Sequence, residues 1–230
     1  MKIFLITTAG GSGTRMGAGK PKQFLELGGK SVLQLTLERL KEGIPDAELI
    51  TVLPQDQISV WKQMCYDSRF SCRQTLVAGG ITRFHSVKNA LARVPDGAIV
   101  AVHDGVRPLI SPAFVRRLLD EALEFGSAVP LMPCVETMKL MDPKTLTPCG
   151  GYADRSRLFG IQTPQFFRSE MLKAAYRQPF DTAFTDDSSV AEAAGASLHY
   201  CPGERFNIKL TTPDDMLLAE ALLKLGQKGS

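Results

Sequence analysis

Apolar, β-branched runs alternate along this chain with stretches whose apolar residues recur at helical spacing. Ile3–Thr8 precedes a helical pattern over Ser31–Glu42, Leu49–Leu53 precedes Asp56–Met64, Gln74–Val77 precedes Thr82–Ala92, Ala98–Val102 precedes Pro112–Phe125, and Ala128–Met132 follows. Short strands without polar alternation are those buried on both faces, and their regular interleaving with helices predicts a parallel, doubly wound sheet. Several helix starts are chemically marked. Ser31 with Gln34 forms a capping box, Ser111 precedes Pro112 at a first-turn position, and Thr212-Pro213-Asp214-Asp215 repeats that logic near the C-terminus.

The rhythm breaks between Pro133 and Gly160. Thr137-Met138-Lys139-Leu140 and Leu158-Phe159 flank a turn-rich centre, Asp142-Pro143-Lys144 and Pro148-Cys149-Gly150-Gly151, which predicts a hairpin arm leaving the body of the domain. An arm with one apolar side cannot bury itself alone, so pairing with a second copy of the chain is expected. Beyond it the pattern predicts a helix from Ser169, a second over Ser188–Ala194, a strand over Ser197–Tyr200, and a final helix after Asn207-Ile208-Lys209-Leu210.

At 230 residues with 44% hydrophobic content, the chain can bury a full core, and we expect residues 1–230 to form one domain with 133–160 inserted in it. The formal charge of +3 is spread among acids, which argues against a nucleic-acid partner. Cys65, Cys72, Cys134, Cys149 and Cys201 are odd in number and lack C-x-x-C spacing, so neither a disulfide framework nor a zinc site is indicated. With no signal-like segment and no apolar run near the roughly 20 residues of a membrane span, a cytoplasmic protein with reduced thiols is expected.

Candidate chemistry clusters in the loops that follow strands, where ligands of open α/β sheets bind. The first strand runs into Ala9-Gly10-Gly11-Ser12-Gly13-Thr14-Arg15-Met16-Gly17-Ala18-Gly19-Lys20-Pro21-Lys22. Glycines let backbone N–H groups face an anion, and Arg15 and Lys22 add fixed positive charge. Neither common template fits: Met16 stands where a dinucleotide fingerprint needs glycine, and Pro21 follows Gly19-Lys20 where a P-loop needs Ser or Thr. Later loops bring Ala78-Gly79-Gly80 with Arg83 and Ser86, His103-Asp104-Gly105-Val106-Arg107-Pro108, and Lys209. Convergence of Arg15, Lys22, Arg83, Arg107 and Lys209 would make a site for several phosphates, with Asp104 as the acid among them, placed to hold Mg²⁺ or a substrate hydroxyl. The three histidines, His85, His103 and His199, form no nucleophile or metal pattern. Cations without an acid–base residue suit attack by a phosphate monoester, which is already largely dianionic at neutral pH.

These blocks resemble the cytidylyltransferase family typified by 2-C-methyl-D-erythritol 4-phosphate cytidylyltransferase of the non-mevalonate isoprenoid pathway. The resemblance spans nearly the whole chain: A-G-G-x-G-x-R-M…P-K-Q-F at Ala9–Phe24, A-G-G-x-x-R-x-x-S-V at Ala78–Val87, H-D-x-x-R-P at His103–Pro108, T-M-K at Thr137–Lys139, Q-T-P-Q-F-F at Gln162–Phe167, T-D-D-x-S at Thr185–Ser189 and N-I-K-x-T at Asn207–Thr211. It implies an α/β fold with a doubly wound, mostly parallel Rossmann-like sheet and a protruding β-hairpin arm. The implied reaction transfers CMP from CTP to a sugar-alcohol phosphate and releases pyrophosphate, with Mg²⁺ or another divalent cation on the triphosphate.

Carried over by position, Ala9, Gly10, Gly11, Gly13 and Thr14 would cradle the triphosphate, and Arg15 and Lys22 would stabilise the transition state. Gly80 and Ser86 would read cytosine, and Lys209 would bridge the two substrates. Asp104, Arg107, Thr137, Arg155 and Thr163 would meet the acceptor, Asp104 and Asn207 also resembling the metal pair of related sugar nucleotidyltransferases, and the arm would swap across a homodimer. The sequence departs from the family pattern at Gly105-Val106, where H-D-A-A is frequent, and at Ile81 and His85. The resemblance at Thr185-Asp186-Asp187-x-Ser189 and Thr137-Met138-Lys139 implies 2-C-methyl-D-erythritol 4-phosphate as the acceptor, and rival readings are the same transfer to ribitol 5-phosphate and a non-catalytic nucleotide-binding regulator. Retention of Arg15, Lys22 and Lys209 argues against the second.

Overall fold

The computed structural model describes residues 1–10 and 20–227. Its centre is a parallel set of strands, β1 (Ile3–Thr8), β4 (Glu48–Leu53), β5 (Gln74–Ala78) and β6 (Ile99–Asp104), with β1 between β4 and β6 and β5 outside β4. A small antiparallel pair, β2 (Glu26–Leu27) and β3 (Lys30–Ser31), precedes the first helix. Successive residues of β1 point to opposite faces and both faces are buried, which is why the strand reads as an unbroken apolar run. Leu5 joins one core with Leu49, Ile99 and the inner faces of α1 (Val32–Gly43), α2 (Ile58–Asp67) and α4 (Pro112–Phe125). Phe4 and Ile6 join the other, with Val52, Val100 and residues of α3 (Arg83–Leu91), α5 (Ser169–Ala175) and α6 (Asp187–Ala193). Helices on both faces make the sheet doubly wound, as the periodicity predicts.

The marked helix starts hold. Ser31 Oγ accepts the Gln34 N–H while Gln34 Oε1 accepts the Ser31 N–H, and Ser111 caps α4 ahead of Pro112. At α7 (Pro213–Gln227), Thr212 Oγ1 accepts the Asp215 N–H and Asp215 Oδ2 accepts the Thr212 N–H.

The second half of the sheet departs from a simple parallel order. β7 (Ser127–Pro133) is separated from β6 by β11 (Gln165–Arg168), which runs antiparallel to both. The sheet is therefore mixed, with a parallel core and antiparallel additions. β11 is four residues long and follows Thr163-Pro164, so its apolar content gives little periodic signal; its place comes from the partners on either side. Between β7 and β11 the chain forms the expected hairpin, β8 (Lys139–Met141) against β9 (Pro148–Tyr152), and returns through β10 (Phe159–Ile161), which pairs with β7. Leu140, Leu146 and Tyr152 on this arm are exposed.

The late strand sits further along than Ser197–Tyr200. β12 (Tyr200–Pro202) pairs parallel with β7, Cys201 opposite Pro130. Ala196 and Leu198 pack on the second core as a loop, so their burial needs no ladder, and pairing begins where His199 O accepts the Val129 N–H. All five cysteines are free thiols, and no helix among the described residues is long and apolar enough to cross a membrane.

Candidate active site

The C-terminal ends of β1, β4, β5 and β6 open into a cavity of about 540 Å³ whose lining includes Ala9, Gly10, Lys22, Gly80, Arg83, Ser86, Asp104 and Lys209. Arg83, Asp104 and Lys209 also line a second cavity of about 470 Å³, together with Arg107, Thr163, Thr185, Asp186 and Ser189. Residues from the N-terminus to position 209 thus meet at the edge predicted from strand-end loops. Gly11, Gly13, Thr14 and Arg15 lie outside the described residues.

Each wall has a local cause. Lys22 opens a 3₁₀ turn, Lys22–Phe24, set by Pro21 and pinned because Phe24 stacks on Trp61 with ring centroids 5.9 Å apart. Its neighbour Gln23 is buried and donates to Ala9 O at 2.8 Å, tying this turn to the start of the glycine loop. The Ala78-Gly79-Gly80 corner is held by Ser86, whose Oγ accepts the Gly80 N–H at 3.0 Å and donates to Thr82 O at 2.9 Å. A Cβ at Gly80 would fall 2.4 Å from His85 Cβ, so only glycine allows the turn to close onto α3. Gly105 lets the loop after β6 lie against the end of β1: a Cβ there would come within 3.1 Å of Thr8 O and 3.2 Å of Ala9 Cβ.

Asp104 is the electrostatic centre. Its Oδ2 lies 3.1 Å from Lys209 Nζ and 3.2 Å from Arg107 Nε, while Oδ1 lies 3.8 Å from Arg83 Nε. Burial alone would raise its pKa, but Arg83, Lys209 and Arg107 outweigh that and hold the carboxyl well below the usual carboxylate range. The net charge of this group is positive, as a polyanion requires. Arg107 is fixed at its other end, Nη1 donating to Asn207 O at 2.8 Å. Asn207 in turn donates to Thr163 O at 2.8 Å, and its buried Oδ1 has no partner among the described residues. Thr163 Oγ1 accepts the Asp104 N–H at 3.1 Å and lies 3.0 Å from His103 Nδ1. Burial pushes the His103 imidazole down to about 4, so it is neutral at pH 7 and serves as scaffold.

Thr137 and Arg155 are not brought in. Both stand on the arm and line neither cavity; Arg155 Nη1 donates to Val135 O at 3.4 Å. Two groups of residues escaped the sequence reading. Gln23 is one, although it lies within the P-K-Q-F block. The other is the polar network beneath the second cavity, where Gln165 Nε2 donates to Asp186 Oδ2 at 2.7 Å and Arg83 Nη2 to Asp187 Oδ2 at 2.5 Å. Its signals were the pair of acids in T-D-D-x-S and Gln165 within Q-T-P-Q-F-F. Among the described residues no three His, Cys, Asp or Glu side chains cluster as metal ligands would.

The sequence pattern of the family described as IspD, 2-C-methyl-D-erythritol 4-phosphate cytidylyltransferase, matches residues 3–225. A protein of that name from Bacteroides thetaiotaomicron is 45% identical over 224 residues, covering 97% of this chain and all of its relative. One from Porphyromonas gingivalis is 47% identical, covering 96% of this chain and 98% of the relative. Among solved structures, the 4-diphosphocytidyl-2C-methyl-D-erythritol synthase of Anaerococcus prevotii superposes with a TM-score of 0.79 at 27% identity over 97% of this chain and 98% of that one. The 2-C-methyl-D-erythritol 4-phosphate cytidylyltransferase of Thermus thermophilus superposes with a TM-score of 0.76 at 27% identity over 97% and 100%. Strand-end cations around Asp104, a matching pattern over residues 3–225 and relatives similar along their whole length place this chain in the 2-C-methyl-D-erythritol 4-phosphate cytidylyltransferase family of the non-mevalonate isoprenoid pathway.

Proposed function

We propose that the family's reaction, transfer of CMP from CTP to 2-C-methyl-D-erythritol 4-phosphate, takes place where the two cavities share Arg83, Asp104 and Lys209. That shared wall is the observation carrying the reading, because a nucleotide in one cavity and a phosphate acceptor in the other would meet there. CTP occupies the larger cavity, its base by Gly80 and Ser86 and its triphosphate along Ala9, Gly10 and the following loop residues Gly11, Gly13 and Thr14. The acceptor lies in the other, against Asp104, Arg107 and Thr163.

An oxygen of the acceptor phosphate attacks the α-phosphorus of CTP. The new P–O bond forms as the bond to the β-phosphate oxygen breaks, and pyrophosphate leaves with that electron pair. The attacking group is already an anion, so no side chain has to remove a proton. Lys22, Lys209 and Arg15 hold two anionic substrates together and neutralise charge as it builds at the α-phosphate. The donor set fits a divalent cation shared with the triphosphate, because Asp104 is the single acid among the described residues lining the nucleotide cavity and Mg²⁺ is commonly held by one carboxylate, phosphate oxygens and water. Such a cation, when bound, would neutralise triphosphate charge.

The whole chain acts as one nucleotidyltransferase domain and 133–160 as its dimerisation arm. The exposed apolar residues of the hairpin, and the fact that Thr137 and Arg155 line neither cavity of their own chain, support an arm that delivers these two residues to a partner's acceptor cavity. Pyrophosphate release with CTP and each acceptor separately tests the reading. Turnover with 2-C-methyl-D-erythritol 4-phosphate, little with ribitol 5-phosphate, and a kcat collapse in Lys209→Ala are expected. Full kcat in that variant overturns the site.

A further inference from the structure

Arg83 opens α3, and its guanidinium spans two carboxylates from different parts of the molecule. Nη2 donates to Asp187 Oδ2 at 2.5 Å, and Nε lies 3.8 Å from Asp104 Oδ1. Asp187 is fully buried in the first turn of α6, and its other oxygen accepts the Tyr176 hydroxyl at 2.6 Å. Among the described residues Arg83 is the one cation paired with Asp187. The next residue, Phe84, stacks on the Tyr176 ring at 4.7 Å, so the start of α3 is fixed to the same support. Asp187 and Tyr176 line neither cavity, whereas Arg83 lines both.

The two oxygens of Asp104 have divided duties. Oδ2 meets Lys209 and Arg107, and Oδ1 faces Arg83. The terminal torsion of an aspartate is broad, so a carboxylate held by one oxygen can swing and take its partners with it. A planar guanidinium held at Nη2 by Asp187 keeps a fixed positive charge 3.8 Å from the other oxygen and limits that freedom. We infer that Arg83, anchored by the buried Asp187–Tyr176 pair, is a positioning residue for cytidylyl transfer, fixing Asp104 and through it Lys209 at the junction of the two cavities. This rests on the site assignment proposed above for Asp104 and Lys209.

The test compares Asp187→Asn, Arg83→Lys and Tyr176→Phe with Lys209→Ala by steady-state pyrophosphate release, at a temperature where thermal melts show every variant assayed to be folded. Asp187→Asn keeps the shape but loses the charge that clamps the guanidinium, and a lysine ammonium cannot span both carboxylates. Both variants are expected to lose about 10- to 100-fold in kcat, the scale of a small misplacement of a reacting group, with KM for CTP within about twofold. Tyr176→Phe, which removes one hydroxyl, is expected to lose about threefold in the same direction. If Asp187→Asn does not fold, the other two carry the test. Wild-type kcat in the folded variants beside a defective Lys209→Ala overturns the inference and leaves the site reading standing. A rise in KM for CTP with kcat unchanged also overturns it, by making Arg83 a nucleotide-binding group. Wild-type turnover in Lys209→Ala overturns the site reading and this inference together.

Discussion

The Thr163 hydroxyl accepts the backbone N–H of Asp104 at 3.1 Å, joining the loop before β11 to the last residue of β6. The same oxygen lies 3.0 Å from His103 Nδ1, so one threonine sets the backbone at Asp104 and the neighbouring imidazole. Thr163→Val keeps the shape and removes both contacts. It is expected to cost about 1–3 kcal/mol of stability, the scale of leaving a buried donor unpaired. Chemical denaturation with parallel kinetics checks this, and unchanged stability would contradict it.

Lys22→Ala and Arg15→Ala are each expected to lower kcat by about 10²–10³-fold, the effect of removing one preorganised donor, with a much smaller change in CTP affinity. Isothermal titration with CTP beside turnover separates the two quantities. Near-normal kcat in either variant contradicts the assignment.

Ser86 holds the Ala78-Gly79-Gly80 corner, where the proposed site sets the base. Ser86→Ala frees the Gly80 N–H and Thr82 O from their shared hydroxyl and is expected to raise KM for CTP by about tenfold, the equivalent of one lost hydrogen bond. ATP and GTP should stay poor substrates, since a purine cannot satisfy polar groups placed for cytosine. Comparable pyrophosphate release from a purine nucleotide would contradict this.

The buried His103 makes stability depend on pH. Its folded pKa of about 4 lies below the 6.5 of a free imidazole, so the unfolded chain takes up the proton first as pH falls. The stabilisation is complete above pH 6.5 and is lost between 6.5 and 4, amounting to about 3 kcal/mol over the full range. Asp104 is depressed as well and adds a loss below the ordinary aspartate range. Urea midpoints measured from pH 7.5 to 4.5 should fall accordingly, and His103→Asn should flatten that slope. A wild-type midpoint independent of pH would exclude the mechanism.

If Arg155 serves a partner's acceptor cavity, inactive Arg155→Ala and inactive Lys22→Ala proteins should regain activity when dissociated and mixed. One site of each heterodimer would then hold both residues intact, giving about a quarter of wild-type turnover under random pairing in equal amounts. Verified heterodimers that stay inactive would assign Arg155 to its own chain.

The sequence by itself determined the alternation of strands and helices, the caps at Ser31, Ser111 and Thr212, the hairpin between β7 and β10, and the strand-end loops that carry the candidate site. These follow from local rules: apolar period, turn residues and side chains that bond backbone a few positions away. Only the tertiary structure decided that β11 lies antiparallel between β6 and β7, and that β12 pairs from Tyr200 onward, since strand partners are chosen across the chain and leave no local period. The same holds within the site. Sequence spacing marked Arg83, Asp104 and Lys209 as charged loop residues, but a guanidinium shared with buried Asp187 and an ammonium 3.1 Å from Asp104 arise from packing α3, α6 and the segment before α7 onto one end of the sheet. Charge at a distance is invisible to periodicity, and burial converts those pairings into fixed geometry.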